Sequence, residues 1–131
     1  MINKVELLAP AGSKEALFAA VENGADAVYL GGKLFNARQQ ADNFDTEVLK
    51  EVLDYSHVRG VNIYLALNTL IYDNEIKQAL ELAAEAREAG IDGIIVQDIG
   101  LAGALRRVMP DMPLHASTQM TIYDLSGVKF L

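Results

Sequence analysis

The chain has 131 residues, enough for one domain with one sizeable core and too few for two. Eleven Lys and Arg stand against eighteen Asp and Glu, a net charge of −7 that leaves no basic field for DNA packaging or a membrane coat, while 51% hydrophobic and 22% charged residues exclude disorder. The lack of cysteine excludes disulfides, a Cys nucleophile, zinc-thiolate sites and Cys-ligated iron-sulfur clusters within these residues; with no apolar run near the ~20 residues that span a bilayer and no signal-peptide pattern at the start, a cytoplasmic protein with no membrane partner is expected.

In chain order, Val5 to Ala9 reads as a first short buried strand, and Ala9-Pro10-Ala11-Gly12-Ser13 as a turn into a helix capped by Ser13. The N-H groups of that turn could hold an anion, although a plain capped turn is the commoner outcome. Leu17, Ala20 and Val21 form the helix's apolar stripe, and Gly24-Ala25-Asp26 ends it. The same mark recurs as Gly60-Val61-Asn62 and Gly90-Ile91-Asp92: a glycine takes the left-handed position past a helix, and a short polar residue turns the chain into a strand. Ala27 to Leu30 is the second strand, followed by Gly31-Gly32, a permissive turn or a weak nest of N-H groups.

Lys33 to Phe44 is a long connection without helical periodicity, of the kind that often carries function. It holds Asn36, Arg38, Gln39, Gln40 and Asn43, and the Arg38 guanidinium suits a carboxylate or phosphate or, equally, a structural ion pair. Asp45 is placed to cap the second helix, which contains His57; Ile63 to Leu67 is the third strand, followed by Asn68 and Thr69. Asp73 is placed to cap a third helix with the stripe Ile76, Ala79, Leu80, Ala83 and Ala86. Gly93 to Val96 is the fourth strand, Gln97 follows it, and Asp98 caps a fourth helix carrying Leu101, Ala104, Leu105 and Val108. Leu114 to Ala116 is the fifth strand, followed by Ser117, Thr118 and Gln119, and Gly127 to Leu131 reads as part of a further helix with no stop signal.

Five short aliphatic runs separated by four helical intervals, with no hairpin signal, predict an α/β fold with a parallel sheet. A doubly wound sheet and a (β/α)8 barrel compete for that pattern, and four and a half units supply about half a barrel. The expectation is a single domain, residues 1-131, forming the N-terminal half of a TIM-like barrel, a fragment of a longer chain.

Parallel α/β proteins bind ligands beyond the carboxyl ends of their strands. Arg38, Asn68, Gln97, His115 and Gln119 fall there and are the candidate substrate-binding residues, predicted to gather at one end of the sheet. His115 could titrate or bind metal, but a hydrogen-bonded strand histidine is commoner, and no metal-binding cluster supports it. Glu6 falls in the first predicted strand, where a buried carboxylate would require a partner that the sequence does not identify. No catalytic residue or metal site is assigned.

Four segments together carry a resemblance: Glu6-Leu7-Leu8-Ala9-Pro10-Ala11-Gly12; Gly24-Ala25-Asp26-Ala27-Val28-Tyr29-Leu30-Gly31-Gly32; Asn36-Ala37-Arg38 leading to Asn43-Phe44; and His115-Ala116-Ser117-Thr118-Gln119-Met120. In this order they resemble the N-terminal part of peptidase family U32. The resemblance implies one of two activities: a collagenase-like protease, or oxygen-independent hydroxylation of tRNA, ribosomal RNA or a quinone precursor. Such hydroxylases use a Cys-held iron-sulfur cluster, with prephenate implicated for RNA. The family signature with its Glu and Cys residues is expected downstream, so no cofactor is expected in this chain. Asp124 after Tyr123 departs from the Asn expected there.

The leading expectation is the barrel region of such an enzyme, inactive in isolation and acting on RNA or peptide only in a full-length form. The alternatives are an unrelated barrel enzyme for a phosphate or carboxylate substrate, and a non-catalytic scaffold. Open sheet edges also predict a homo-oligomer through the open barrel side.

Overall fold

The structure, a computed structural model, describes residues 4-32, 34-37, 44 and 46-131. Five strands, β1 (Leu8–Ala11), β2 (Ala27–Gly31), β3 (Asn62–Leu67), β4 (Gly93–Val96) and β5 (Leu114–Ala116), form one sheet in the order of the chain. Every neighbouring pair is parallel. Helices α1 (Lys14–Glu22), α2 (Thr46–His57), α3 (Ile76–Ala89) and α4 (Ile99–Val108) are the crossovers. A 3-10 turn, Thr118–Met120, and a short α5, Leu125–Phe130, follow β5. Sequential strand order with crossovers of one hand puts every crossover helix on the same face, the singly wound arrangement of a barrel rather than the two-faced doubly wound sheet.

Strand alternation divides the residues between the two faces. Val28, Leu30, Ile63, Leu65, Leu67, Ile94 and Val96 are buried among Leu17, Val21, Val52, Leu53, Ala79, Ala83, Leu101 and Leu105 of the helices. The stripes predicted for α1, α3 and α4 are thus the core faces, except that Val108 stays 55% exposed. Tyr29, Gly31, Tyr64, Ala66, Gly93, Ile95 and His115 alternate with the core-facing residues and occupy the inner face.

Gly24, Gly60 and Gly90 all have positive φ, as the repeated mark requires. The acidic residue of the mark also ties neighbouring strands together at their starts. Asp26 Oδ2 accepts from Leu7 N at 2.8 Å, and Asp92 Oδ2 accepts from Ile63 N at 2.7 Å and meets His57 Nε2 at 2.9 Å. Glu22 binds α1 to α2, accepting from the Tyr55 hydroxyl and from Arg59 Nε, whose guanidinium lies 3.7 Å above the Tyr55 ring.

Several expectations are corrected. The first strand is not Val5 to Ala9 but Leu8–Ala11: Val5 is 85% exposed, and the Asp26 carboxylate takes the Leu7 N-H, so pairing with β2 begins at Leu8. Glu6 consequently lies before the strand and is exposed. Asp73 does not cap α3. Glu75 occupies that position without a side-chain cap bond, its carboxylate reaching back to Tyr72 N at 2.9 Å. Ser13 and Asp98 do cap α1 and α4, accepting from Ala16 N and Leu101 N. The expected cap at Asp45 lies outside the described residues. Gly31-Gly32 is a turn filled by its own loop: Asn36 Nδ2 donates to Gly32 O at 2.6 Å, and a Cβ on Gly31 would strike the Asn36 side chain.

Candidate functional site

The inner face closes against the loops that follow the strands, leaving two adjoining hollows of about 240 and 310 Å³ at the carboxyl ends of β1 to β5. Tyr29, Ala66, Asn68 and Thr118 line both; Asn36 and Gln119 line one, His115 and Ser117 the other. Among the described residues, those lining the hollows include no Lys, Arg, Asp or Glu. A groove of about 840 Å³ lies elsewhere, between α3 and α4, with Ile76, Leu80 and Val108 along its bottom and Lys77, Glu81 and Arg87 around it. It is a seam between helices on the outer side of the sheet, away from the carboxyl ends of the strands where parallel α/β proteins bind ligands, so volume alone does not mark the site.

Below the hollow, Gly93 permits two rings to meet. A Cβ there would stand 3.1 Å from His115 Nε2 and 3.2 Å from Tyr64 Cδ1, and the His115 and Tyr64 centroids are 4.5 Å apart. The Tyr64 hydroxyl donates to Glu6 Oε2 at 2.8 Å across 58 positions of sequence. Burial, followed by this bond to a carboxylate, raises the Tyr64 hydroxyl above the usual phenol range. Glu6 therefore has the partner that sequence reasoning could not find. His115 differs from the expectation of a satisfied histidine, because its buried Nε2 has no hydrogen-bond partner among the described residues.

Four of the five candidate residues belong to this end of the sheet. Asn68 follows β3, where its Oδ1 accepts from Ala37 N at 3.1 Å and anchors the loop after β2. Gln97 follows β4 and donates from Nε2 to the Gln119 carbonyl at 3.5 Å; Gln119 lies in the 3-10 turn and His115 in β5. Arg38 lies outside the described residues. Sequence reasoning missed Tyr29 and Tyr64, since a tyrosine in an apolar run reads as one more core residue.

Among the described residues no three His, Asp or Glu side chains cluster as a metal site, and no helix is long and apolar enough to cross a membrane. The His57-Asp92 pair sits at the opposite end of the sheet, where its carboxylate also ties the start of β3.

Sequential parallel strands, helices on one face and a polar-lined hollow beyond the carboxyl ends define a TIM-barrel-like α/β protein. Two solved barrel enzymes share the fold. Type I 3-dehydroquinate dehydratase from Clostridium difficile has a TM-score of 0.63 at 12% identity, covering 88% of this chain and 52% of that one. The corresponding values for DHDPS from Cyanidioschyzon merolae are 0.57, 12%, 85% and 45%. The chain belongs to peptidase family U32, which it matches over residues 12–131.

Similar curated proteins carry different names. The chain is 38% identical over 129 residues to the Escherichia coli 23S rRNA 5-hydroxycytidine C2501 synthase, covering 98% of this chain and 19% of that protein. It is 36% identical over 127 residues to the Bacillus subtilis tRNA hydroxylation protein P1, with 97% and 30% covered. Against the Porphyromonas gingivalis collagenase it is 35% identical over 130 residues, with 98% and 31% covered. The chain thus spans less than a third of the length of each of these relatives.

Proposed function

We propose that the chain supplies the first half of the barrel of an RNA-modifying enzyme of the U32 family, and that the hollow receives the base of the nucleotide to be hydroxylated. The observation that carries this reading is the lining of the hollow by tyrosine, histidine and carboxamide side chains. Flat rings stack on a base and amides match its polar edge. The relatives named for rRNA and tRNA hydroxylation support the same direction. With a net charge of −7 this region contributes little attraction to an RNA backbone, so backbone binding falls to another part of the enzyme.

An iron-sulfur cluster does not fit these residues, since the chain has no cysteine and the described residues form no metal-ligating cluster. Within this half, the inner-face rings and the carboxamides orient the base and exclude water from it. A collagenase reading has a relative's name behind it. It lacks chemistry in this chain, because the one His-carboxylate pair among the described residues is engaged with strand backbone at the opposite end of the sheet.

Expression of the complete reading frame in a bacterium stripped of its own RNA hydroxylation proteins is the test. Mass spectrometry of digested tRNA and rRNA should show a hydroxylated pyrimidine return, and gelatin should remain uncut. Gelatin cleavage abolished by a substitution at the hollow, with RNA unmodified, would overturn the proposal.

A further inference from the structure

We infer that the side-chain amide of Gln119 binds the polar edge of the ligand in the hollow, and that Ser117, Gln97 and Thr121 are positioning residues that hold its backbone. The inference rests on the nucleobase reading of the hollow and goes beyond it by assigning which group meets that edge. The backbone of Gln119 is held on both sides. Its N-H donates to Oγ of the buried Ser117 at 3.2 Å, and its carbonyl accepts from Gln97 Nε2 at 3.5 Å and from Thr121 Oγ1 at 3.3 Å.

Thr121 closes this turn at φ 58° and ψ 40°, a left-handed conformation that a β-branched residue seldom adopts. Such strain persists where the surroundings over-determine it, and it concentrates at ligand sites. With the backbone occupied, Gln119 has its side chain left to offer. Gln119 lines the hollow, and no hydrogen bond joins its side-chain amide to another described residue. Gln97 and Ser117 are thus spent on the Gln119 backbone, a different role from direct contact with the ligand.

A carboxamide presents a donor and an acceptor in one plane and can be turned to offer either. It matches uracil, with O4 beside N3-H, and equally cytosine, with the 4-amino group beside N3. A carboxylate of the same shape only accepts, so with either base it keeps one bond, to uracil N3-H or to the cytosine amino group, and repels the acceptor beside it, O4 of uracil or N3 of cytosine.

The test is calorimetric titration of the full-length protein with uridine and with cytidine. The wild-type protein should bind both within tenfold of each other, Gln119→Glu should weaken both at least tenfold at neutral pH, and acidification that protonates the new carboxyl, restoring a donor beside an acceptor, should recover uridine binding. Gln119 is exposed, so this variant leaves the core untouched. Gln97→Ala and Thr121→Ala should each weaken both nucleosides severalfold, and Thr121→Ser, which keeps the hydroxyl, should recover the affinity; wild-type affinity in both alanine variants would remove the positioning roles. Nucleoside affinities unmoved by Gln119→Glu overturn the assignment while the nucleobase reading stands. Failure of the wild-type full-length protein to bind either nucleoside overturns that reading, and the assignment with it.

Discussion

A methyl group at Gly93 would stand 3.2 Å from the Pro113 carbonyl and 3.1 Å from His115 Nε2, so part of the conflict is with backbone that cannot swing aside. Gly93→Ala should therefore cost ~1-3 kcal/mol, the usual range for overpacking, and separate the His115 and Tyr64 rings. Urea unfolding measures the cost, and the His115 ring proton shifts report the separation; an unchanged midpoint with unchanged shifts would show that β5 yields freely. Thr121 gives the opposite sign. Asparagine tolerates the left-handed region better than threonine, so Thr121→Asn should stabilise the fold by about 1 kcal/mol in the same assay. Neither residue stands out in the sequence. Gly93 reads as the small start of a strand and Thr121 as a loop residue, because the ring that crowds one and the turn that strains the other come from residues brought together only by the fold. His115 and Gln119 were legible for a simpler reason, since any polar residue at the end of a buried parallel strand falls at the site end of the sheet.

At the scale of elements, caps and interstrand ties do separable work. Asp98 accepts from Leu101 N at 2.7 Å and also from Ile71 N at 3.3 Å, joining the start of α4 to the loop after β3. Asp98→Ala should cost ~1-2 kcal/mol, whereas Asp73→Ala should fall within experimental error because α3 does not use it. Thermal or urea unfolding of the two variants separates the roles. The carboxylates at Asp26 and Glu22 make stability depend on pH. The Lys4 ammonium and then the Leu7 N-H hold Asp26 below the usual carboxylate range; the Tyr55 hydroxyl and then Arg59 do the same for Glu22. A carboxyl group with a depressed folded-state pKa lends stability that is present above the unfolded value and lost as pH falls through the folded one. Stability should thus decline from about pH 4 downward, and Asp26→Asn should flatten that limb; an acid limb identical in the variant would remove Asp26 from the account. Strand and helix identities were readable because aliphatic runs and 3.6-residue stripes alternate cleanly. The position of β1 was not, since the apolar pattern continues through Val5 and Leu7 while the Asp26 side chain, 19 residues beyond Leu7, decides where pairing starts.

At the scale of the molecule, β1 and β5 each have one strand neighbour, and exposed apolar side chains follow β5. Leu125, Val128, Phe130 and Leu131 are 57 to 72% exposed, and a groove of about 260 Å³ lined by Ile99, Ala102, Leu114, Met120 and Phe130 runs alongside. At ~25 cal/mol per Å² of apolar surface, covering a few hundred Å² contributes several kcal/mol before the cost of association, enough to offset mutual repulsion between chains of charge −7 in physiological salt. The chain by itself should therefore self-associate at micromolar concentration through the β5 side, and high salt should strengthen the association by screening. Sedimentation equilibrium is the measurement. Val128→Asp together with Phe130→Asp should shift the population to monomer with the circular dichroism unchanged, because both side chains are exposed in the single chain. A wild-type chain that stays monomeric at tens of micromolar in high salt would mean that this apolar face is tolerated in water, and the association proposed through the open side of the sheet would fall.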